Sequence, residues 1–307
     1  MQVERKMMLA VTLLGMGMMP VVASPVTMTV DEGVVFGEKT EEQASAWTLE
    51  TTVGLDFSSK QVTYGLIDNP QGILTPSFEL AWQHEAGLRL AIGVEALWNT
   101  TNYGAKEGGY NNRRWKMQEL DPYLALSHRW SLTEEVTLVT EVGYYYEYHP
   151  RSCNKPERDF SNPDAQYLTF LLGLEDGFLN PTLSFEYQIV GYGAMDEGEG
   201  ALYAAFELSH EFDVSRIMGL EEGVLCVTPL AGVAVANKER NTCDLGLDDT
   251  LSLRDTYVRL EVTYCPIEHL SITPYVACHQ QLDASTRDVV GEDDVVAYAG
   301  IGMAYTF

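Results

Sequence analysis

The chain has 307 residues, with 45 Asp and Glu against 19 Lys and Arg, for a formal net charge of −26. An acid excess of this size excludes a nucleic-acid-binding surface, which has to be basic. No later stretch holds roughly 18 or more consecutive apolar residues, so a helical membrane protein is excluded as well, while a barrel of short alternating spans is not.

Residues 1–24, MQVERKMMLAVTLLGMGMMPVVAS, carry Arg5 and Lys6, an apolar run from Met7 to Met19, and small residues after Pro20. This is the pattern of a secretory signal peptide, with cleavage expected after Ala23 or Ser24. The run is too short to span a bilayer comfortably and no Cys follows it, so export by the Sec pathway without a lipid anchor is expected. Residues 25–45 mix acids with no sustained period and read as a periplasmic N-terminal segment.

From residue 46 to Phe307 one device repeats: about ten residues alternating between apolar and polar or small, then a break. Twelve such stretches lie near 46–58, 75–84, 86–98, 117–131, 134–148, 165–176, 180–192, 200–213, 223–236, 255–265, 268–281 and 294–307. In GLRLAIGVEALW, Leu88, Leu90, Ile92, Val94 and Trp98 oppose Arg89, Ala91, Gly93 and Glu95. In PTLSFEYQIV, Leu183, Phe185, Tyr187 and Ile189 oppose Thr182, Ser184, Glu186 and Gln188. A period of two places each set on its own face of a strand.

The connections alternate too. Breaks at 84–87, 131–135, 176–180 and 265–268 are short, and 213–222 is a longer member of the same set. Those at 59–74, 99–116, 149–164, 192–200, 237–254 and 282–293 are mostly longer and rich in Gly, Asn, Asp and charge. Short turns on one side and long loops on the other are what a membrane barrel with both termini in the periplasm produces. A soluble sandwich fits less well. Its strands are shorter, and the small, acidic face here lacks the bulk to fill a core. Tyr144, Tyr146, Tyr148, Trp98, Trp130, Tyr264 and Phe307 also gather at strand ends, as interfacial aromatics do. The expected fold is all-β: a single transmembrane antiparallel up-and-down β-barrel of twelve strands over 46–307.

The ending GIGMAYTF resembles the C-terminal assembly signal of Gram-negative outer-membrane β-barrels, with Ile301, Met303, Tyr305 and terminal Phe307 at alternating positions. The resemblance implies a diderm bacterium, an outer-membrane location and delivery to the barrel assembly machinery. The first hairpins, DFSSKQVTYGLIDNPQGILTPSFELAW and GLRLAIGVEALW, are similar to the TorF-like group of putative porins.

With the large apolar set toward lipid, the opposite set faces the interior. It contains Glu50, Asp56, Glu79, Glu95, Glu119, Asp121, Glu141, Glu147, Glu186, Glu207, Glu211 and Glu261, against chiefly Arg89, Arg129 and Arg259. Such a lining concentrates cations and repels anions. The expectation is a porin-like channel for passive diffusion of small solutes that prefers cations, with Gly54, Gly93, Gly143, Gly173, Gly232, Gly300 and Gly302 leaving room inside. The alternative is a non-conducting structural or adhesive barrel acting through its outer loops, the carboxylates pairing with arginines across a filled interior.

No HExxH, GxSxG or P-loop pattern occurs, and neither enzymatic activity, a cofactor nor a resident metal is expected. His149, Ser152 and Asn154 depart in spacing from the His-x-Ser motif of the outer-membrane phospholipase. The loop acids match no calcium-binding loop, although weak divalent bridging to lipopolysaccharide is open to them. Of five cysteines, Cys153 and Cys243 fall in outer loops and Cys226 and Cys265 on neighbouring strands, two candidate disulfides that sequence leaves open.

Overall fold

The computed structural model describes residues 47–63, 66–100, 117–133, 135–148, 165–177, 179–190, 198–246, 251–282 and 295–307. The signal peptide and the 25–45 segment expected from sequence lie outside the described residues.

The strands are β1 (Trp47–Ser58), β2 (Gln61–Thr63), β3 (Leu66–Asn69), β4 (Ile73–His84), β5 (Leu88–Asn99), β6 (Met117–Ser131), β7 (Thr137–Glu147) and β8 (Ala165–Glu175). They continue with β9 (Asn180–Val190), β10 (Leu202–Ser209), β11 (Phe212–Asp213), β12 (Leu225–Ala236), β13 (Ser252–Ile267), β14 (Leu270–Gln281) and β15 (Val295–Thr306). One helix, α1 (Lys238–Leu245), stands between β12 and β13. Strands β2 and β3 form a separate small hairpin. β10 and β11 both pair with β12 and make one stave, interrupted at His210 and Glu211. The remaining strands each pair antiparallel with the next, and β15 returns to β1.

That last pairing closes the barrel. Thr52 stands opposite Thr306 and Ser58 opposite Gly300, and the Phe307 N–H donates to the Thr51 carbonyl at 2.9 Å. The strict alternation of the final segment therefore belongs to a strand held on both sides, by β14 and β1. A closed ring leaves no unpaired edge, so every stave satisfies its backbone within the sheet.

Alternation sorts the side chains as expected. Val53, Leu55, Phe57, Ile92, Leu124, Leu126, Val142, Phe170, Phe206, Val258, Val276, Ile301 and Met303 are exposed on the outer surface. Their neighbours in sequence turn inward and are largely buried. At the end carrying the short turns, imidazole and aromatic rings meet: Trp47 with His84, His128 with Trp130, His210 with Phe212, and Tyr305 with Phe307. No helix among the described residues is long and apolar enough to cross a membrane.

Two long connections hold more structure than an irregular loop. The 59–74 segment contains the β2–β3 hairpin, and the 237–254 segment contains α1. Asn237 caps α1, its side chain accepting from the Arg240 N–H, and Gly246 ends it at φ 67°. An Asn before and a Gly after eight residues is a readable helix signal, overshadowed by the charge of the segment.

The interior glycines do not leave open space. A Cβ on Gly93 would lie 2.2 Å from the Tyr123 ring, one on Gly232 2.4 Å from Tyr257, and one on Gly300 2.3 Å from Tyr275. In each case the tyrosine is the cross-strand partner of the glycine, and its ring lies over the bare backbone. Replacing Gly232 with Val should destabilise the barrel by about 1–3 kcal/mol through overpacking, measured by urea unfolding in detergent micelles. Adding Tyr257→Ala should recover part of that loss; no recovery would contradict the ring-over-glycine account.

Candidate functional site: the barrel interior

Strand register arranges the inward side chains in rows across the wall. Toward the long-loop end, Ser77, Glu95 and Asp121 oppose one another in turn on β4, β5 and β6. The pairings Tyr123–Tyr145 and Leu120–Tyr148 on either side set Asp121 against Glu147 of β7, which opposes Ala165 of β8. One step toward the short turns stand Glu79, Gly93, Tyr123, Tyr145 and Tyr167. The Tyr145 and Tyr167 rings stack there with centroids 4.5 Å apart. Below them come Ala81, Ala91, Ala125 and Gly143, and then Gln83, Arg89, Ser127 and Glu141.

The alanine row provides the space through which Arg89 reaches Glu79, which also accepts from the Tyr123 hydroxyl at 2.9 Å. Nearer the short turns Arg129 pairs with Glu175. Glu79, Arg89, Tyr123, Arg129, Glu141 and Thr169 are partly exposed, whereas Glu95, Glu119, Asp121, Tyr145 and Glu147 are buried. The partly exposed inward side chains thus run along the β4–β8 wall from the short-turn end up to the row of acids.

The opposite wall is packed. Glu207 accepts from the Tyr257 hydroxyl at 2.5 Å. Asp255 accepts from Tyr203 at 2.8 Å and bonds His279 Nδ1 at 2.9 Å. The His279 ring stacks on Tyr257, and its Nε2 is 3.4 Å from the Tyr298 hydroxyl. Arg259 lies 3.8 Å from the centre of the Tyr275 ring, and Tyr275 donates to Asp56 at 3.3 Å. Arg259 also forms an ion pair with Glu261 at 2.7 Å.

α1 folds over this interior. It leaves β12, yet Arg240 reaches Glu186 of β9 at 3.3 Å and lies 5.8 Å over the Tyr167 ring of β8. Arg254 reaches Asp244 at 3.1 Å and Asn241 at 3.0 Å. The Asn237 side chain also accepts from Leu202 N–H and donates to Gly200 C=O, joining two loops. Burial pushes the Asp244 carboxyl above the usual range, against the pull of Arg240 and Arg254.

The acids Glu79, Glu95, Glu119, Asp121, Glu141, Glu186, Glu207 and Glu261 and the bases Arg89, Arg129 and Arg259 all stand on the inward face, with Glu50 partly exposed near the start of β1. Sequence reading did not single out Tyr123, Tyr145, Tyr167, Tyr203, Tyr257, Tyr275, Glu175, Arg240 or Arg254. Parity was the available signal for most of these: Tyr257 alternates in step with Arg259 and Glu261, and Tyr145 with Glu141 and Glu147. Ile301, Met303, Tyr305 and Phe307 are on the outer surface. Cys226 and Cys265 are thiols here, Cys226 opposing Thr263 so that Cys265 is its diagonal neighbour. Cys153, and with it the pairing with Cys243, lies outside the described residues, as do His149, Ser152 and Asn154.

No protein-family model matches the chain, and no curated protein matches it. Among solved structures the chain is similar to an outer membrane channel from Pseudomonas putida F1, at 8% identity over 87% of this chain and 99% of that one, TM-score 0.49. It is similar to the KdgM porin at 9% identity over 83% and 99%, TM-score 0.43. It is also similar to outer membrane phospholipase A from Escherichia coli at 14% identity over 83% and 89%, TM-score 0.44. These likenesses extend to barrel architecture.

Replacing Arg240 with Ala removes a guanidinium from between the buried carboxylate of Glu186 and the half-buried one of Asp244. The expected cost is about 3–5 kcal/mol, felt as loss of α1 docking. Hydrogen exchange should rise over 238–245 with the barrel strands unchanged; unaltered protection of α1 would contradict the assignment.

Proposed function

We propose that the chain is an outer-membrane barrel of a diderm bacterium and gives small solutes, cations above all, a narrow passive path. The observation that carries this reading is the division between its faces: large aliphatic side chains outside, an excess of carboxylates over guanidinium groups within. Charge on the lipid face costs energy near the bilayer midplane, so this parity suits a membrane. An acidic, low-dielectric interior raises local cation concentration.

In this reading the short turns and their aromatic and imidazole rings lie at the periplasmic interface, and the long loops meet lipopolysaccharide. Ile301, Met303, Tyr305 and Phe307 present the last strand to the assembly machinery, and residues 1–24 direct export through the Sec pathway. The likeness of the first hairpins to the TorF-like putative porins agrees with this reading. The path runs along the β4–β8 wall past Arg129, Glu141, Arg89 and Glu79. No catalytic role is assigned to any residue.

Planar-bilayer recording under a KCl gradient tests the proposal. The reversal potential should lie toward the potassium equilibrium potential and move toward zero when Glu79→Gln and Glu141→Gln are combined. A reversal potential on the chloride side contradicts cation preference. Absence of conductance favours a barrel that acts through its loops, for which the packed β9–β15 wall is the supporting observation.

A further inference from the structure

α1 joins β12 to β13, yet its contacts lie across the long-loop mouth of the barrel. Arg240 reaches Glu186 on β9 and the ring of Tyr167 on β8, the third stave from its own root. On the other side Asn241 donates to Ser252 Oγ at 2.9 Å and accepts from Arg254, while Asp244 accepts from Arg254 at 3.1 Å. Cys243 Sγ and Gln188 Oε1 of β9 stand within 3.0 Å of one point, where a Cβ on Gly198 would be. The groups that α1 meets are sealed: Arg254 and Gln188 are 0% exposed, and Glu186 and Tyr167 1%.

The contact is polar on both sides. The buried residues of α1 are Arg240 and Asn241, and no apolar side chain of the helix is buried with them. Burial of apolar surface is what holds packed elements together permanently. A lasting seal built of hydrophobic residues would be as stable as one built of buried ion pairs, or more so. Ion pairs and hydrogen bonds differ in that water replaces them when the partners part. The eight residues of α1 are also too few to stay helical alone, since isolated helices shorter than about 12 residues are marginal in water. α1 therefore keeps its shape only where it is docked.

We infer that α1 is a releasable plug: docked, it closes the long-loop mouth between β8 and β13, and undocked, it unfolds and opens that mouth to solutes. The docked, closed state is the one seen in the structure. The change is an exchange of order for disorder in one segment. Arg240 leaves with the plug and Arg254 stays on the wall, so release parts the two guanidinium groups. It leaves Glu186, Gln188 and Arg254 facing the mouth, and water solvates all three. The plug rests on the reading of the interior as a diffusion path, to which it adds a gated end.

Planar-bilayer current from the full-length barrel tests the plug. A Cβ on Gly198 would lie 3.0 Å from Cys243 Sγ, close enough for a disulfide. Gly198→Cys therefore offers a lock once Cys153, Cys226, Cys265 and Cys278 are replaced by Ser. Oxidised, the lock should hold the current low and steady; reduced with dithiothreitol, the current should rise and fluctuate. Replacing residues 238–245 with a Gly-Ser segment of equal length should raise the mean conductance about twofold or more. Gly198 has φ 88°, which strains any side chain there, so the Gly-Ser segment decides where the lock does not close. Heat-modifiable gel migration confirms that each form is folded. Current indifferent to the lock and to the Gly-Ser segment overturns the plug. Hydrogen exchange on the native chain reads release without current, through the Asn241 and Gly246 amides that bond within α1. They should exchange through an opening that leaves β9 and β13 protected, and exchange no faster than those strands also overturns the plug. The two readings fail separately: release seen by hydrogen exchange with no current from any form overturns the channel alone.

Discussion

Closure of β15 on β1 is the constraint from which the rest follows. In the proposed membrane setting no water satisfies a sheet edge, so an open sheet of these strands would leave a row of unpaired amides and carbonyls there. Once the ring is closed, a period of two does the remaining sorting. A side chain is outside or inside, and a shift of one residue in register would exchange the two faces. Large aliphatics at the outward positions thus fix carboxylates, tyrosines and a few arginines at the inward ones.

Closure also forces the inward groups together, and the two halves of the barrel resolve this differently. On the β9–β15 wall, tyrosine hydroxyls, His279 and Arg259 supply donors, and the rings of Tyr257 and Tyr275 settle over Gly232 and Gly300. On the β4–β8 wall the alanine row keeps the section wide enough for Arg89 and Arg129 to remain partly solvated. Above it the acids of β5, β6 and β7 crowd together without an arginine bridging Glu95 and Asp121. On this wall the partly exposed side chains are those that arginines reach, and the acids above them are buried.

The barrel was legible because alternation and turn length are local signals that Val53, Leu55, Phe57 or Leu183, Phe185, Tyr187 carry without reference to partners. The inward residues were legible by the same parity. What filled the space was less so. Glycines read as vacancies because sequence shows the missing Cβ but not the partner in register; only the strand pairing brings Tyr123 to Gly93. α1 was missed because Lys238, Glu239 and Asp244 read as solvated loop charge, whereas Arg240 and Asn241 are buried by neighbours distant in sequence.

The central claim, that the β4–β8 wall offers a solvent path preferring positive charge, is most directly tested by chemical access. Thr169 lies partway along that wall and is partly exposed. A Thr169→Cys variant with the native cysteines replaced, inserted in vesicles, should react with a cationic methanethiosulfonate several-fold faster than with an anionic one of similar size. Equal rates, a faster anionic reagent or no reaction with either would contradict the account.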